Sequence, residues 1–354
     1  MKLSTFIIGI LLMVLANSCS HTTYLQVMQP AEIDIPQHIK KVGLINRSFP
    51  SKQDNETTFW NILEGVATGE QIRMDYDASF DCVEELRRTL SAGDRFQAWV
   101  FESPDGGTGR EVMSPPLTWE KVEKMCKDNQ VDAIVALEVF DSDSYTNTKE
   151  GTRDVKGKDG VVTKVPEFLV TGNTKIITKW RVYDIANKRI IDMASNNDTK
   201  SFTGRGATPQ MALEQLPNKR LMTSQTGAYV GSLYGRRISP NWITVGRNIY
   251  TKAKRDPNMK LAGKAAKVGN WQKAIEKWNK LSNSSNPKIA SRAGYNMAVA
   301  CEVEGKLDLA IDWAHKTFTK YSFVPARDYE NILQQRKRDN ERLNEQMGNS
   351  PTQK

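Results

Sequence analysis

Near its C-terminal end the chain repeats itself, and a repeat narrows the possible folds more than any single motif does. Gly269-Asn270-Trp271-Gln272-Lys273-Ala274-Ile275 is answered by Gly305-Lys306-Leu307-Asp308-Leu309-Ala310-Ile311, at an offset of 36 residues. In both copies a small residue, Ala262 or Ala298, lies seven positions before the glycine, and another, Ala274 or Ala310, five positions after it. The glycine permits a tight turn between two helices, and the small residues let those helices approach. Such a unit cannot bury its apolar face alone, so neighbours must stack. Trp278 and Leu281 continue the first copy, Pro287 ends it, and the charged stretch 325–346 is expected to cap the stack as a helix.

This spacing resembles the tetratricopeptide repeat, whose usual period is about 34 residues. The resemblance implies a recognition surface without chemistry of its own. Trp271, Trp278 and Trp313 fall on repeat positions and are expected to be core.

The other specific segment is the start. Lys2 precedes Phe6–Ala16 (FIIGILLMVLA), an apolar run too short to span a bilayer, which needs about 20 residues. Leu15-Ala16-Asn17-Ser18-Cys19 then resembles the lipobox of bacterial lipoproteins. The resemblance implies diacylation of the Cys19 thiol, cleavage before it and acylation of the new amine. Two or three acyl chains make a durable anchor, since each buried methylene contributes about 0.8 kcal/mol. By the enterobacterial sorting rule that goes with this resemblance, Ser20 rather than Asp after the cysteine implies the outer membrane. The absence of acid in Ser20–Tyr24 points to its periplasmic leaflet. Residues 1–18 are then a signal peptide, and its removal lowers the formal charge from +9 to +8, since Lys2 is its one charged residue.

Between these ends, 39% apolar and 26% charged residues mark a globular chain. Thr23–Met28 and Lys41–Asn46 read as strands, Ser48–Thr58 as a polar loop, and Ser79–Ser91 as a helix with Phe80, Val83, Leu86 and Leu90 on its apolar face. Arg95–Glu102 returns as a strand. Thr118 caps a helix bearing Val122, Met125 and Cys126, and Val131–Phe140 is apolar enough for a central strand buried on both faces. Asp141–Pro166 is polar and reads as a mobile loop or weak hairpin tip. Long strands over Glu167–Ile185 and Arg189–Thr203 follow, and then a helix opened by Thr208-Pro209 that resumes after Pro217. Its Gly227, Ala228, Gly231 and Ser232 are expected to permit close packing on the sheet. The fold class is therefore α+β. A mixed sheet with packed helices over 19–250 precedes tetratricopeptide-like helices over 251–346 and a disordered tail, 347–354.

The order of elements, with KKVGLINRSF, VDAIVALEVFDSD and ITKWRVYDIANKRIID, resembles the periplasmic α/β domain of the curli-secretion lipoprotein. The lipoprotein activators of penicillin-binding proteins and the N-terminal domain of the Tol–Pal β-propeller protein share that fold. The whole chain is similar to a family of Gram-negative lipoproteins with a domain of unknown function, and Arg237-Ile238-Ser239-Pro240-Asn241-Trp242 resembles its junction motif. A curli-type pore needs alternating apolar hairpins, and Asp141–Pro166 lacks them.

No catalytic constellation is legible. His21, His38 and His315 have no partner at metal or triad spacing, and Asp105-Gly106-Gly107-Thr108-Gly109-Arg110 lacks the Gly-Lys-Ser/Thr ending of a phosphate loop. Glu84, Glu85, Asp141 and Asp143 read as exposed helix and loop positions. Cys82, Cys126 and Cys301 read as buried thiols, with a Cys82–Cys126 disulfide open in an oxidising compartment. The expectation is a non-enzymatic, lipid-anchored envelope protein without cofactor or metal, which binds other envelope proteins and no nucleic acid. The alternatives are a regulator of peptidoglycan synthesis and an unrecognised hydrolase.

Overall fold

A computed structural model describes residues 20–50, 69–109 and 111–348, and the chain divides into two compact units. One comprises Pro30–Asn241 with Gln346–Asn349; the other joins Met1–Gln29 to Trp242–Glu345 and the last residues. The division therefore falls at 241/242, and two segments read as part of the α/β region, 20–29 and 242–250, cluster with the helices instead.

The first unit is α+β, built on a five-stranded sheet. Its strands are β2 (Lys41–Asn46), β3 (Gln97–Val100), β4 (Ala133–Lys156), β5 (Val162–Asp184) and β6 (Arg189–Gly206), in the order β3-β2-β4-β5-β6. β2 pairs parallel with β3 and β4; β4–β5 and β5–β6 are antiparallel. Parallel neighbours require crossovers, and α1 (Gly69–Ser91) and α2 (Trp119–Asn129) supply them on opposite faces. With α4 (Lys219–Ile238), α1 covers Leu44, Val135, Leu137, Ile176 and Trp180, while α2 covers Ile45, Ile134, Ala136 and Tyr183. The start of β4 is thus buried on both faces, as its unbroken apolar run required.

Three expectations are corrected. The α1 helix begins near residue 69, ten residues earlier than its apolar spacing indicated. It buries Ala78, Cys82, Val83, Leu86 and Leu90 but leaves Phe80 exposed, against the edge of Tyr76 (5.0 Å between centroids). Secondly, of the two readings of Asp141–Pro166 the loop fails and the hairpin holds, though as a long regular arm rather than a weak tip. β4 and β5 pair without interruption from Val139–Lys179 to Lys156–Val162 and turn over Gly157–Gly160. Threonine, tyrosine and valine favour a pleated backbone, and cross-strand bonds satisfy it without an apolar face. Pro166 lies beyond the last β5–β6 pair, Phe168–Gly206, where a strand edge is free and proline is tolerated. Thirdly, the small residues of α4 meet a helix rather than the sheet. A Cβ on Gly227 or Gly231 would collide with the carbonyls of Ala78 or Cys82, and one on Gly235 with Thr89. The short α3 (Pro209–Leu213) precedes α4, with Thr208 Oγ1 accepting from Met211 N at 3.2 Å.

In the second unit, β1 (Ser20–Gln29) pairs with β7 (Asn241–Tyr250). Five helices follow: α5 (Pro257–Lys267), α6 (Trp271–Ser282), α7 (Pro287–Val303), α8 (Leu307–Tyr321) and α9 (Val324–Met347). Proline opens both α5 and α7, where its missing N–H is not needed. Ala262, Ala274, Ala298 and Ala310 are fully buried, and Gly269 and Gly305 adopt φ of +75° and +76° with nothing near an added Cβ. Backbone conformation, not space, selects these glycines. The capping helix α9 buries Ala326, Tyr329 and Leu333.

Candidate functional site

The helical unit carries a groove of about 480 Å³ between the α6–α7 turn and the C-terminal half of α8. Its shape follows from Gly294 on α7. A Cβ there would collide with Thr317 Oγ1, so the glycine lets α8 close in and buries Thr317. Tyr321 donates to the Ser282 carbonyl at 3.2 Å and closes one end. Trp313, half-buried against the core, contributes an aromatic wall; Lys316 and Lys320 stand exposed beside it, with Lys320 Nζ 5.3 Å from the Tyr321 ring. His315 bonds Glu330 at 3.1 Å and so faces α9. No carboxylate is among the residues lining this groove, so its field is cationic beside an apolar wall. Two ammonium groups beside an aromatic wall are complementary in charge and polarity to a carboxylate-bearing group.

The remaining residues singled out in the sequence are dispersed. Cys19 lies outside the described residues, as do Arg110 and the Ser48–Thr58 loop from Ser51 onward. Trp278 is fully buried and Trp271 packs against it. His38 bonds the buried Asp184 at 2.9 Å, and Asp184 also accepts from Asn187 at the β5–β6 turn. Glu84 forms ion pairs with Arg87 and Arg88 on α1. Gly107 approaches the Arg47 backbone too closely for any side chain, so this glycine serves packing. Cys82 and Cys126 are unbridged, in cores on opposite faces of the sheet. Burial pushes the Cys126 thiol up to about 12 and Cys301 up to about 11, which makes both poor nucleophiles. Among the described residues, no group of three or more His, Cys, Asp or Glu could hold a metal ion, and no helix is long and apolar enough to cross a membrane.

One group escaped the sequence reading. Asp75, buried on α1, accepts from Ser142 Oγ and from Gln71, and burial lifts its carboxyl to about 7. Beside it opens a hollow of about 410 Å³ lined by Gln71, Glu111, Asp141, Ser142, Asp143, Lys175 and Ile177. No local signal distinguishes Asp75 from any polar helix residue, because its partner Ser142 is 67 residues away.

An α+β unit joined to paired helices is the class that this fold defines. The chain belongs to the family of the domain of unknown function DUF8603, which matches residues 39–250; a second domain of unknown function, DUF6340, matches 260–337. Those matches part between 250 and 260, whereas the compact units part at 241/242. No curated protein matches. Among solved structures, PelC from Paraburkholderia phytofirmans, a dodecamer, is 12% identical, with 62% of this chain and 99% of that one covered and a TM-score of 0.24. A hypothetical protein from Chlamydia trachomatis is 14% identical (54% and 96% covered, TM-score 0.22). A minor lipoprotein from Acinetobacter baumannii is 11% identical (56% and 94% covered, TM-score 0.20). Likenesses this slight do not define a fold.

Proposed function

We propose that the chain is a lipoprotein anchored through Cys19 in the outer membrane, facing the periplasm, and that it binds another envelope protein through its helical repeats without catalysing a reaction. The observation that carries the binding role is the groove beside Trp313, Lys316 and Lys320, cationic and half apolar, on a stack whose small residues serve only packing. Its chemistry favours an acidic segment of the partner. The resemblance of 24–250 to curli-secretion and penicillin-binding-protein-activator lipoproteins supports the envelope setting.

A photo-cross-linking side chain at Lys316 or Lys320, irradiated in cells, is expected to capture one envelope protein, with capture abolished by Trp313→Ala. Capture no greater than from the same side chain at Val268 overturns the binding reading. The anchor is tested separately: palmitate should label the native chain, and a Cys19→Ala variant given a leader that is cleaved without lipid should leave the membrane fraction. If the variant stays there and the native chain takes up no palmitate, the location is wrong.

A further inference from the structure

The two-stranded sheet of β1 and β7 has one face turned to solvent. Thr22, Tyr24, Gln26 and Met28 reach it from β1, and Trp242, Thr244, Gly246 and Asn248 from β7, by the two-residue period of strands. Thr22 Oγ1 donates to Asn248 Oδ1 at 2.8 Å and Gln26 Nε2 to Thr244 Oγ1 at 2.9 Å, a register that sets Ser20 opposite Tyr250. Tyr24 is 71% exposed and Trp242 is 56% exposed, the most exposed aromatic side chains among the described residues. The other face buries Ile249 in the helical core and aims Arg247 at Glu302.

Past Tyr250 the chain passes through Lys252, Lys254 and Arg255, all exposed, so three cations sit beyond the end of the sheet that also holds Ser20. Lys254 and Arg255 have φ of +44° and +56°. Arg292 Nη1 donates to the Lys252 carbonyl at 2.7 Å with its guanidinium 4.7 Å from the Tyr250 ring centre, which ties the basic turn to α7. Ser20, the first described residue, already lies in β1 and is the chain neighbour of Cys19; adjacent Cα atoms lie only about 3.8 Å apart.

We infer that the open β1–β7 face and the Lys252–Arg255 turn form a membrane-apposed surface for anionic lipid headgroups. The orientation rests on the reading that Cys19 is lipidated; the chemistry of the surface does not. A sheet joined directly to an acylated residue keeps its Ser20 end at the headgroup layer, and the exposed aromatic and basic side chains then lay the rest of the face down. Tyrosine and tryptophan are the side chains that settle at that level, and each cation near an anionic surface raises partition roughly fivefold.

The test has two arms. In the first, the lipidated protein is reconstituted in vesicles of phosphatidylethanolamine and phosphatidylglycerol, with a fluorophore on Gln26→Cys, Asn248→Cys or Val268→Cys. The three native thiols of the described residues are buried and stay unlabelled. Headgroup-nitroxide lipid is expected to quench the labels at 26 and 248 and to spare that at 268, which is 80% exposed in the α5–α6 turn. Protein that floats with vesicles yet shows no quenching at 26 and 248, or equal quenching at 268, overturns the orientation. Protein that neither floats nor carries palmitate overturns the anchor instead. In the second arm the unlipidated chain beginning at Ser20, without the apolar leader, is sedimented with phosphatidylglycerol or phosphatidylcholine vesicles. It should prefer the anionic vesicles at least tenfold, and the triple variant K252E/K254E/R255E should lose that preference. Equal binding to both lipids, or a triple variant that behaves as its parent, overturns the surface itself.

Discussion

Each unit buries a glutamate between two arginines and a tyrosine, and the two arrangements differ in how far their arginines reach water. In the sheet unit, Glu138 accepts both oxygens' bonds from Arg47 (2.9 and 3.0 Å), one from Tyr183 (3.1 Å), and lies 3.1 Å from Arg181. The side chains of Arg47 and Arg181 are only 4% and 7% exposed; their Nε atoms have no hydrogen-bond partner among the described residues, which is equally true of Arg336 Nε in the other unit. In the helical unit, Glu302 on α7 is held by Arg247 from β7 (2.7 and 3.0 Å), Arg336 (2.6 Å) and Tyr329, the latter two from α9. There the arginine side chains retain 12% and 21% exposure. One cluster is sealed; the other opens at its rim. The Glu302 cluster also explains why β7 belongs with the helices, together with Asn296, whose amide bonds both backbone groups of Tyr250.

Breaking the two clusters should give the largest and most unequal effects. Glu138→Gln leaves two buried guanidiniums without a compensating charge and is expected to cost about 3–5 kcal/mol. Glu302→Gln leaves arginines that can reach solvent, and about 1–3 kcal/mol is expected, the cost of unsatisfied polar groups. Hydrogen exchange resolved over β4 and α7 would separate the units. Equal losses in both would mean that access to water does not set the difference.

Acid should act in opposite senses through two buried carboxyls, Asp75 in the sheet unit and Glu302 in the helical unit. Burial pushes the Asp75 carboxyl up to about 7, so between 3.8 and about 7 the folded unit holds a proton that the unfolded chain has lost. Its stabilising share is complete at low pH and disappears as pH rises through that window. Asp75→Asn should therefore protect the sheet unit at pH 8, by at most about 4 kcal/mol, and do little at pH 4. Burial alone would raise Glu302 as well, but bonds from Arg247, Tyr329 and Arg336 outweigh it and hold that carboxyl below the ordinary range. Its contribution is present above the unfolded value and lost as pH falls through the depressed one. The difference in melting between the parent and Asp75→Asn, and between the parent and Glu302→Gln, followed from pH 3 to 8, checks both signs; differences that run parallel would defeat the contrast.

Legibility in the sequence divides along the same line. The helical pairs could be read because what fixes them is local: a turn glycine and small residues at set offsets. The β4–β5 arm could be read only as a loop or a weak hairpin tip, because its strands owe their regularity to each other and their polar residues carry no apolar alternation. The partner of β1 is about 220 residues away, so Thr23–Met28 read as a strand without any sign of the unit that it joins. The groove was half visible. Trp313 stood out on its repeat position, but Lys316 and Lys320 acquire meaning only where Gly294 draws α8 against α7.

Glycine supplies the smallest test, because the two units use it for different reasons. In α4, Gly231 makes room for the Cys82 carbonyl, and Gly231→Ala should cost about 1–3 kcal/mol by forcing α1 and α4 apart. Gly305 has open space around it and needs only its left-handed backbone, so Gly305→Ala should cost about 1 kcal/mol. Asparagine discriminates further, since it tolerates that backbone but is bulkier than alanine. Gly305→Asn should recover part of the loss, whereas Gly231→Asn should be worse than Gly231→Ala. Denaturant midpoints for the four variants decide the matter. If asparagine rescues at 231, or fails at 305 as badly as alanine, then conformation and space have been assigned to the wrong glycines.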